Sequence, residues 1–174
     1  MNSLSGKHIK LRALEPEDLT FLFETENNQE FWEVSHTQTP FSKFILKQYL
    51  DNAHLDIYEA KQLRLIIEEN SSKSQIGTID LFDFNPQHKR AGIGILITKE
   101  HQQKGFASEA LELLIQYCFS FLQLHQLYAN ITTDNKKSVQ LFKKHNFEII
   151  GIKKDWIYTK NTFKDELLLQ LING

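Results

Sequence analysis

The chain has 174 residues, 41% of them hydrophobic and 24% charged, and a formal net charge of −2. These values are typical of one globular domain with its own core, and they argue against a general nucleic-acid-binding protein, which would be basic. A single cysteine, Cys118, excludes an intrachain disulfide and a multi-cysteine metal site, and no apolar run approaches the roughly 20 residues of a membrane span. We therefore expect one cytoplasmic domain over residues 1–174, with neither a membrane nor a nucleic acid as partner, and Cys118 as a small buried thiol.

Charge is distributed unevenly along the chain. Residues 13–42, called the acidic segment below, contain no lysine or arginine but seven carboxylates, Glu15, Glu17, Asp18, Glu24, Glu26, Glu30 and Glu33. This segment is either a solvated helix face or a surface that attracts a cation. Residues 71–174 carry thirteen basic and ten acidic residues, a balance that favours an anion.

The chain begins with a predicted strand and continues through predicted helices. His8–Ala13 alternates in polarity, which predicts a strand. Pro16, among three acids, starts a helix that ends at Asn27 and Asn28. A short helical turn follows at Phe31 and Trp32. Ser42 is the expected N-cap of another helix, whose apolar face comprises Ile45, Leu46, Tyr49 and Leu50.

The remainder of the chain predicts mostly strands. Two helices are expected there, Phe106–Leu122 with a continuous apolar face and Asn135–His145. The expected strands are Leu63–Glu68, Gln75–Phe84, Arg90–Thr98, Gln126–Thr132, Phe147–Lys154 and Lys164–Ile172, with turns at Asn70–Ser74, Asn85–Gln87 and Lys160–Asn161.

This order of elements, β-α-α-β-β-β-α-β-α-β-β, predicts an α/β (α+β) fold. We expect a mostly antiparallel mixed sheet of about seven strands flanked by about four helices. Strands four and five are joined by a helical crossover, so they should be parallel neighbours. A V-shaped splay between them would open a slot beside Gly105.

The stretch Ile93–Ala107 has the form of a phosphate-binding device. It reads as a strand, a short polar turn and Gly105 at the start of a helix. The first amides of a helix have no partner within it and carry the positive end of its dipole, so such a turn binds phosphate.

Two motifs resemble those of the GNAT superfamily of acetyl-CoA-dependent N-acetyltransferases. Gln102–Ala107 resembles the phosphate loop Q-x-x-G-x-G/A, and thirty residues after Gly105 the run Asn135–Ser138, closing at Leu141–Phe147, resembles the second signature. The alternation in Arg90–Ile95 and the ending Phe163–Asp165 are similar to the branch that contains ribosomal-protein and spermidine N-acetyltransferases. The resemblance extends over nearly the whole chain and implies the acyl-CoA N-acyltransferase fold.

The resemblance implies acetyl-CoA as cosubstrate and assigns residues to it by position. The backbone of Leu96, Ile97 and Thr98 would bind the pantetheine, and the Ile97 amide would stabilise the oxyanion. Gly105 is required because a side chain there would displace the phosphates. The pyrophosphate would be held by the amides of Gln103, Lys104, Gly105, Phe106, Ala107 and Ser108, with Gln102, Asn135 and Ser138 completing the cofactor-binding set. No metal is expected, since the histidines match no zinc spacing. Lys137, Lys143 and Lys144 either face the 3′-phosphate or are solvated lysines.

Two positions depart from the family pattern. Asn146 stands where the family has a closing glycine, and asparagine tolerates the left-handed backbone. Phe142 stands where many relatives have a tyrosine that can protonate the departing thiolate. Phe142 would still pack beside the thioester, so that proton comes from water, from Ser138, Tyr158 or His145, or is not needed because a thiolate leaves easily.

On the acceptor side, acetyl transfer requires the free base of an amine, so the site must take a proton from it. Asp80 and Asp83 lie on the third strand, and the similarity to the spermidine branch favours Asp83, with an ion pair to Lys89 or Arg90 as the alternative. We expect Glu33 and His36 to meet the incoming amine. Trp156 and Tyr158 line the acceptor tunnel, pack in the core or form a dimer face.

Three functions are compatible with these features. The favoured one is an N-acetyltransferase in which a primary amine of a cationic small molecule, such as a polyamine or diamine, attacks acetyl-CoA directly. The alternatives are acetylation of a protein N-terminus, and a CoA-binding regulatory domain without turnover, which Phe142 keeps open. The sequence does not fix the oligomeric state and is compatible with a homo-oligomer.

Overall fold

The computed structural model describes residues 4–174 and contains seven strands in one sheet. The strands are β1 (Ile9–Arg12), β2 (Leu63–Glu69), β3 (Gln75–Asn85), β4 (Arg90–Ile97), β5 (Gln126–Thr132), β6 (Glu148–Thr159) and β7 (Thr162–Ile172). Their order across the sheet is β1-β2-β3-β4-β5-β7-β6, and only β4 and β5 pair in parallel. The predicted mixed sheet is confirmed.

Six α-helices flank the sheet rather than the four expected, because two of them are single turns. They are α1 (Leu19–Glu26), α2 (Trp32–Ser35), α3 (Lys43–Asp51), α4 (Ile57–Ala60), α5 (Phe106–Gln116) and α6 (Lys136–Lys144). Only α4 lies where no helix was predicted. Among residues 4–174, none of these helices has the length and apolar character needed to cross a membrane.

Local sequence explains where the helices begin and end. The Ser42 side chain accepts a hydrogen bond from the Ile45 amide and caps α3, as predicted. Asn135 caps α6 in the same way through the Ser138 amide. The predicted long helix after Gly105 ends earlier than expected, since α5 passes into a π-helical turn over Tyr117–Phe121.

Helix α5 packs against β1 and β4 and forms the centre of the core. Its buried residues are Ala110, Leu111, Leu113 and Leu114. Cys118 in the following turn is also buried, and burial raises the pKa of its thiol to about 12. The expectation of a small buried thiol is therefore confirmed.

The parallel pairing between β4 and β5 is short. It comprises Arg90 with Gln126, Ala91 with Leu127 and Gly92 with Tyr128, although both strands continue beyond these pairs. Strand β5 instead stays paired with β7 over its whole length. The two strands separate after Gly92, and this is the predicted V-shaped splay.

The β6–β7 hairpin at the sheet edge is longer than predicted and carries exposed aromatic side chains. Trp156 is 59% exposed and Tyr158 is 63% exposed. The expectation that these residues pack in the core is therefore wrong, because the hairpin extends past the body of the sheet. The alternative that these two residues form a dimer face stays a prediction.

A buried ionic cluster joins the start of α1 to β1 and β2. Asp18 is fully buried, and its two carboxylate oxygens accept hydrogen bonds of 2.9 Å from the Arg12 guanidinium and one of 3.0 Å from Gln75. Arg12 also donates to the buried Glu68. Burial raises the pKa of the Asp18 carboxyl, but these hydrogen bonds outweigh burial and hold the pKa below its ordinary value.

Replacing this carboxylate, Asp18→Asn, should lower the free energy of unfolding by about 3 kcal/mol at pH 7, because Arg12 then loses its main counter-charge. A depressed folded pKa contributes stability above the pKa of the unfolded chain, and that contribution is lost as pH falls through the folded pKa. The difference between wild type and variant in urea unfolding should therefore shrink below about pH 4. The exposed Asp51→Asn is the matched control, and equal midpoints for Asp18→Asn and wild type at pH 7 would contradict the assignment.

Candidate active site in the splay

Two cavities meet where β4 and β5 separate. The first has a volume of about 570 Å³ and lies between the end of β4, the turn before α5 and the start of α6. The second, of about 520 Å³, lies on the other side of the splay among α2, β3, β5 and α6. Val34, Ile95, Asn135 and Ser138 line both cavities. The two spaces therefore adjoin each other at the start of α6.

The turn before α5 shapes the first cavity. Gly105 has a left-handed backbone with φ of 85°, and a Cβ built on it would meet no heavy atom within 4 Å. This conformation and the open space beside it leave room for a ligand against the helix N-terminus. The predicted cofactor residues that line this cavity are Leu96, Ile97, Gln102, Gln103, Gly105, Ala107, Ser108, Asn135 and Ser138.

Three predicted cofactor residues do not line either cavity. The Thr98 amide donates to the Ile76 carbonyl oxygen at 2.9 Å, so it is already used within the sheet. Phe106 packs against the core, and Lys104 is exposed. Lys137 and Lys144, in contrast, do line the first cavity.

Beyond Gly92, the backbone N–H and C=O groups of every second residue of β4 point into the splay. Successive backbone groups of a strand point to opposite sides, so the Ile97 amide points away from β3 when the Thr98 amide points towards it. The Ile97 carbonyl oxygen accepts a hydrogen bond of 2.9 Å from the Gln102 side chain. Gln102 thus ties the phosphate-binding turn to β4, and the Ile97 amide is left facing the gap.

Ser108 and His145 link the start of α5 to the end of α6. The Ser108 hydroxyl and the His145 Nε2 atom lie 2.8 Å apart. Burial lowers the pKa of the His145 imidazole, which favours the neutral ring. His145 lines neither cavity, and the Tyr158 hydroxyl bonds to Asn161 at the far hairpin. Of the three side chains considered as donors to a thiolate, only Ser138 lies at the junction.

Asp80, rather than Asp83, is the β3 carboxylate that lines the second cavity. The register of β3 against β4 shifts between Phe82 and Asn85, and Asp83 within this bulge has a φ of 48°. Its exposed side chain accepts a hydrogen bond of 3.0 Å from Tyr128 instead of pairing with Lys89 or Arg90. The bulge therefore turns Asp83 away from the cavity.

Asp80 is held by a cation from the neighbouring strand. Its two oxygens accept hydrogen bonds of 2.9 Å from Arg64, which also pairs with Glu26. Within the acidic segment, Asp18 and Glu26 thus serve as partners for the half-buried Arg12 and Arg64. Only Glu33 of that segment lines the cavity as a carboxylate.

A second cation, Lys164 of β7, bridges two carboxylates of this cavity. Its Nζ atom lies 2.6 Å from both Glu33 and Asp134. The hydrogen bonds with Asp134 and Glu33 raise the pKa of the Lys164 ammonium, and the one with Asp134 contributes most. The fourth lining carboxylate, Glu166, lies 2.8 Å from Lys153. Sequence reasoning missed Asp134, Glu166 and both lysines.

His36 lines the second cavity, as expected of the acceptor side. Phe142, expected beside the thioester, lines this cavity and not the first one. Phe142 is 2% exposed and lies one helical turn after Ser138 on α6. The exposed His36 ends α2. Trp156 and Tyr158 line neither cavity, so the tunnel interpretation of these two is wrong. In residues 4–174, no cluster of three or more His, Cys, Asp or Glu side chains is placed to hold a metal ion.

Comparison with known proteins identifies related sequences and structures. Residues 8–148 match the acetyltransferase (GNAT) domain family. A spermidine N(1)-acetyltransferase of Escherichia coli is 31% identical over 150 residues, which are 84% of this chain and 76% of that protein. A crystal structure of a Vibrio cholerae spermidine N-acetyltransferase with CoA and spermine is 26% identical, covers 96% of both chains and has a TM-score of 0.87. A dodecameric structure of a Vibrio cholerae spermidine N-acetyltransferase, 29% identical over 96% of this chain and 95% of that one, has a TM-score of 0.81.

Gly92 should tolerate no side chain, because a Cβ there would lie 2.3 Å from the Phe82 ring. Gly92→Ala should therefore push Phe82 into the second cavity and lower the free energy of unfolding by about 2 kcal/mol. Gly94→Ala is the matched control, since its Cβ would come no closer than 4.0 Å to Phe82. Thermal unfolding measures both, and equal melting temperatures for the two variants would contradict this packing.

Proposed function

Because this chain belongs to the GNAT acetyltransferase family, we propose that it transfers the acetyl group of acetyl-CoA to a primary amine of a cationic small molecule. A polyamine or diamine is the favoured acceptor. The observation that carries this proposal is the meeting of the two cavities at the splay, which lets two substrates approach end to end. The spermidine acetyltransferase relatives and the neighbour that binds CoA and spermine support the same substrates.

The first cavity suits acetyl-CoA, which supplies an activated thioester. The amides of Gln103–Ser108 would hold the pyrophosphate at the N-terminus of α5, where the open position at Gly105 leaves space for it. Lys137 and Lys144 add positive charge to the same cavity. The Ile97 amide faces the gap and would stabilise the negative charge that develops on the carbonyl oxygen.

The second cavity suits a cation. Four carboxylates line it, Glu33, Asp80, Asp134 and Glu166, and Arg64 is the one arginine or lysine that the described residues place in its lining. Lys153 and Lys164 lie against these carboxylates and reduce the negative charge without abolishing it. Charges in such a partly enclosed site interact more strongly than in water, so an alkylammonium group is favoured there over a neutral amine.

Transfer proceeds by direct attack of the amine nitrogen on the acetyl carbonyl carbon. The C–N bond forms, the C–S bond breaks, and the sulfur leaves as a thiolate. Phe142 packs beside the reacting centre but has no proton to give. The Ser138 hydroxyl, one turn earlier and common to both cavities, would donate a hydrogen bond to the sulfur.

We also propose that the protein forms a homo-oligomer through the β6–β7 hairpin. This edge of the sheet exposes several large apolar side chains, Ile149, Ile150, Ile152, Trp156, Tyr158 and Phe163. Exposed apolar groups at a sheet edge are typical of surfaces that another chain covers. The dodecameric neighbour supports an assembly of this kind.

An amine panel tests the activity. Spermidine, spermine and diamines should release CoA thiol from acetyl-CoA in a thiol-detection assay. A monoamine of similar size and a peptide N-terminus should react far more slowly, because they lack a second cationic group. Preferred turnover of the peptide would contradict the small-molecule acceptor. Tight CoA binding without turnover of any amine would instead identify a regulatory domain.

The hydroxyl at the junction gives a second test. Ser138→Ala should lower kcat about tenfold by removing one hydrogen bond to a charged leaving group. Phe142→Tyr in the Ser138→Ala background should recover most of that loss. The tyrosine hydroxyl would lie on the same face of α6, one helical turn after position 138. Ser120→Ala, exposed beyond α5, is the control. An unchanged kcat for Ser138→Ala would contradict the role of this hydroxyl.

A further inference from the structure

An alkylammonium acceptor must lose a proton before it can attack. Its pKa lies near 10, as for lysine, so the free base is a small minority at neutral pH. A group that accepts this proton must lie in or beside the second cavity. This requirement for a proton acceptor rests on the proposed amine acetylation.

The carboxylates of this cavity are poorly suited to accept the proton. Asp80 accepts two hydrogen bonds of 2.9 Å from Arg64, and Glu166 lies 2.8 Å from Lys153. Lys164 lies 2.6 Å from both Glu33 and Asp134. The hydrogen bond from Lys164 lowers the pKa of the Asp134 carboxyl. Each of these carboxylates thus has oxygen atoms already occupied by a cation of the chain, which leaves it less free to accept the proton of the amine.

His36 differs from all of them. It lines the same cavity, and among residues 4–174 its imidazole has no hydrogen-bond or ion-pair partner. Its backbone is left-handed, with φ of 57° and ψ of 31°, and its amide N–H donates a hydrogen bond to the Trp32 carbonyl oxygen at the end of α2. His36 is exposed, so it lies both in the lining of the cavity and in contact with solvent.

We infer that His36 is the catalytic residue that accepts the proton of the acceptor amine. The ammonium group gives one proton to a ring nitrogen of the neutral imidazole, and the resulting amine attacks the acetyl carbon. The imidazolium then releases its proton to bulk water at the cavity mouth. The second amine proton is lost as the amide forms and the thiolate takes up one proton, so the products are the acetamide, CoA thiol and one proton in solution.

The charges that face His36 across the cavity come from several elements. Glu33 lies on its own helix, Arg64 on β2, and Asp80 on β3, while Asp134 precedes α6 and Glu166 lies on β7. Lys153 and Lys164 stand behind these carboxylates. His36 thus shares the cavity with four carboxylates, each of which is already held by a cation of the chain.

The test uses two substitutions that keep the left-handed backbone. Asparagine tolerates this conformation, and glycine adopts it freely. His36→Asn should lower kcat/KM for spermidine about a hundredfold at pH 7. The loss should become smaller towards pH 9, because a larger fraction of the amine is then already deprotonated in solution and needs no proton acceptor. In His36→Gly, added imidazole should restore activity by occupying the vacated space.

His88→Ala is the matched control, since His88 is exposed and lines neither cavity. Unchanged CoA binding and thermal unfolding of the His36 variants would show that the loss is not a folding defect. Wild-type kcat/KM in His36→Asn across this pH range, or a loss in His36→Gly that imidazole does not restore, would overturn the assignment. A wild-type protein that acetylates no amine would reject the proposed function, and this inference with it.

Discussion

The early end of the parallel pairing between β4 and β5 shapes the whole site. Gly92 is the last paired residue of β4, and the Phe82 ring occupies the space that a side chain there would take. Beyond it, β5 keeps its hydrogen bonds with β7 while the outward amides of β4 lose their strand partner. Both cavities and the orientation of the Ile97 amide towards the gap follow from this one separation. The fold thus leaves backbone donors unpaired inside the molecule, in the place where an extended ligand would satisfy them.

The two sides of the splay differ in how they carry charge. On the first side, positive charge comes from a helix N-terminus and two exposed lysines, which requires no buried counter-ion. On the second side, each carboxylate has a cation from this chain, and Lys164 joins α2, the start of α6 and β7 in one contact. Such pairing keeps several acids close together without strong mutual repulsion. In the part of the chain that the structure describes, it also leaves His36 as the base without a partner, which separates binding of the cation from removal of its proton.

Sequence periodicity predicted all seven strands and the two helices that bound the cofactor side, because those elements have strong patterns and clear caps. It did not predict which acid would enter the second cavity. Asp80 and Asp83 are three residues apart, and only the bulge after Phe82 decides between them. The ion pairs of Lys164 join residues distant in the chain, so no local pattern reveals them. The exposure of Trp156 likewise depends on how far the β6–β7 hairpin extends, which two alternating strands do not specify.

The central claim is that the splay brings a thioester and a cationic amine together. A crystal structure of the protein with CoA and spermidine tests it directly. The pyrophosphate is expected at Gln103–Ser108 and the sulfur between the Ile97 amide and Ser138. An amine nitrogen is expected in the second cavity, about 3 to 4 Å from the sulfur. CoA bound outside the splay, or spermidine bound only elsewhere on the molecule, would contradict it.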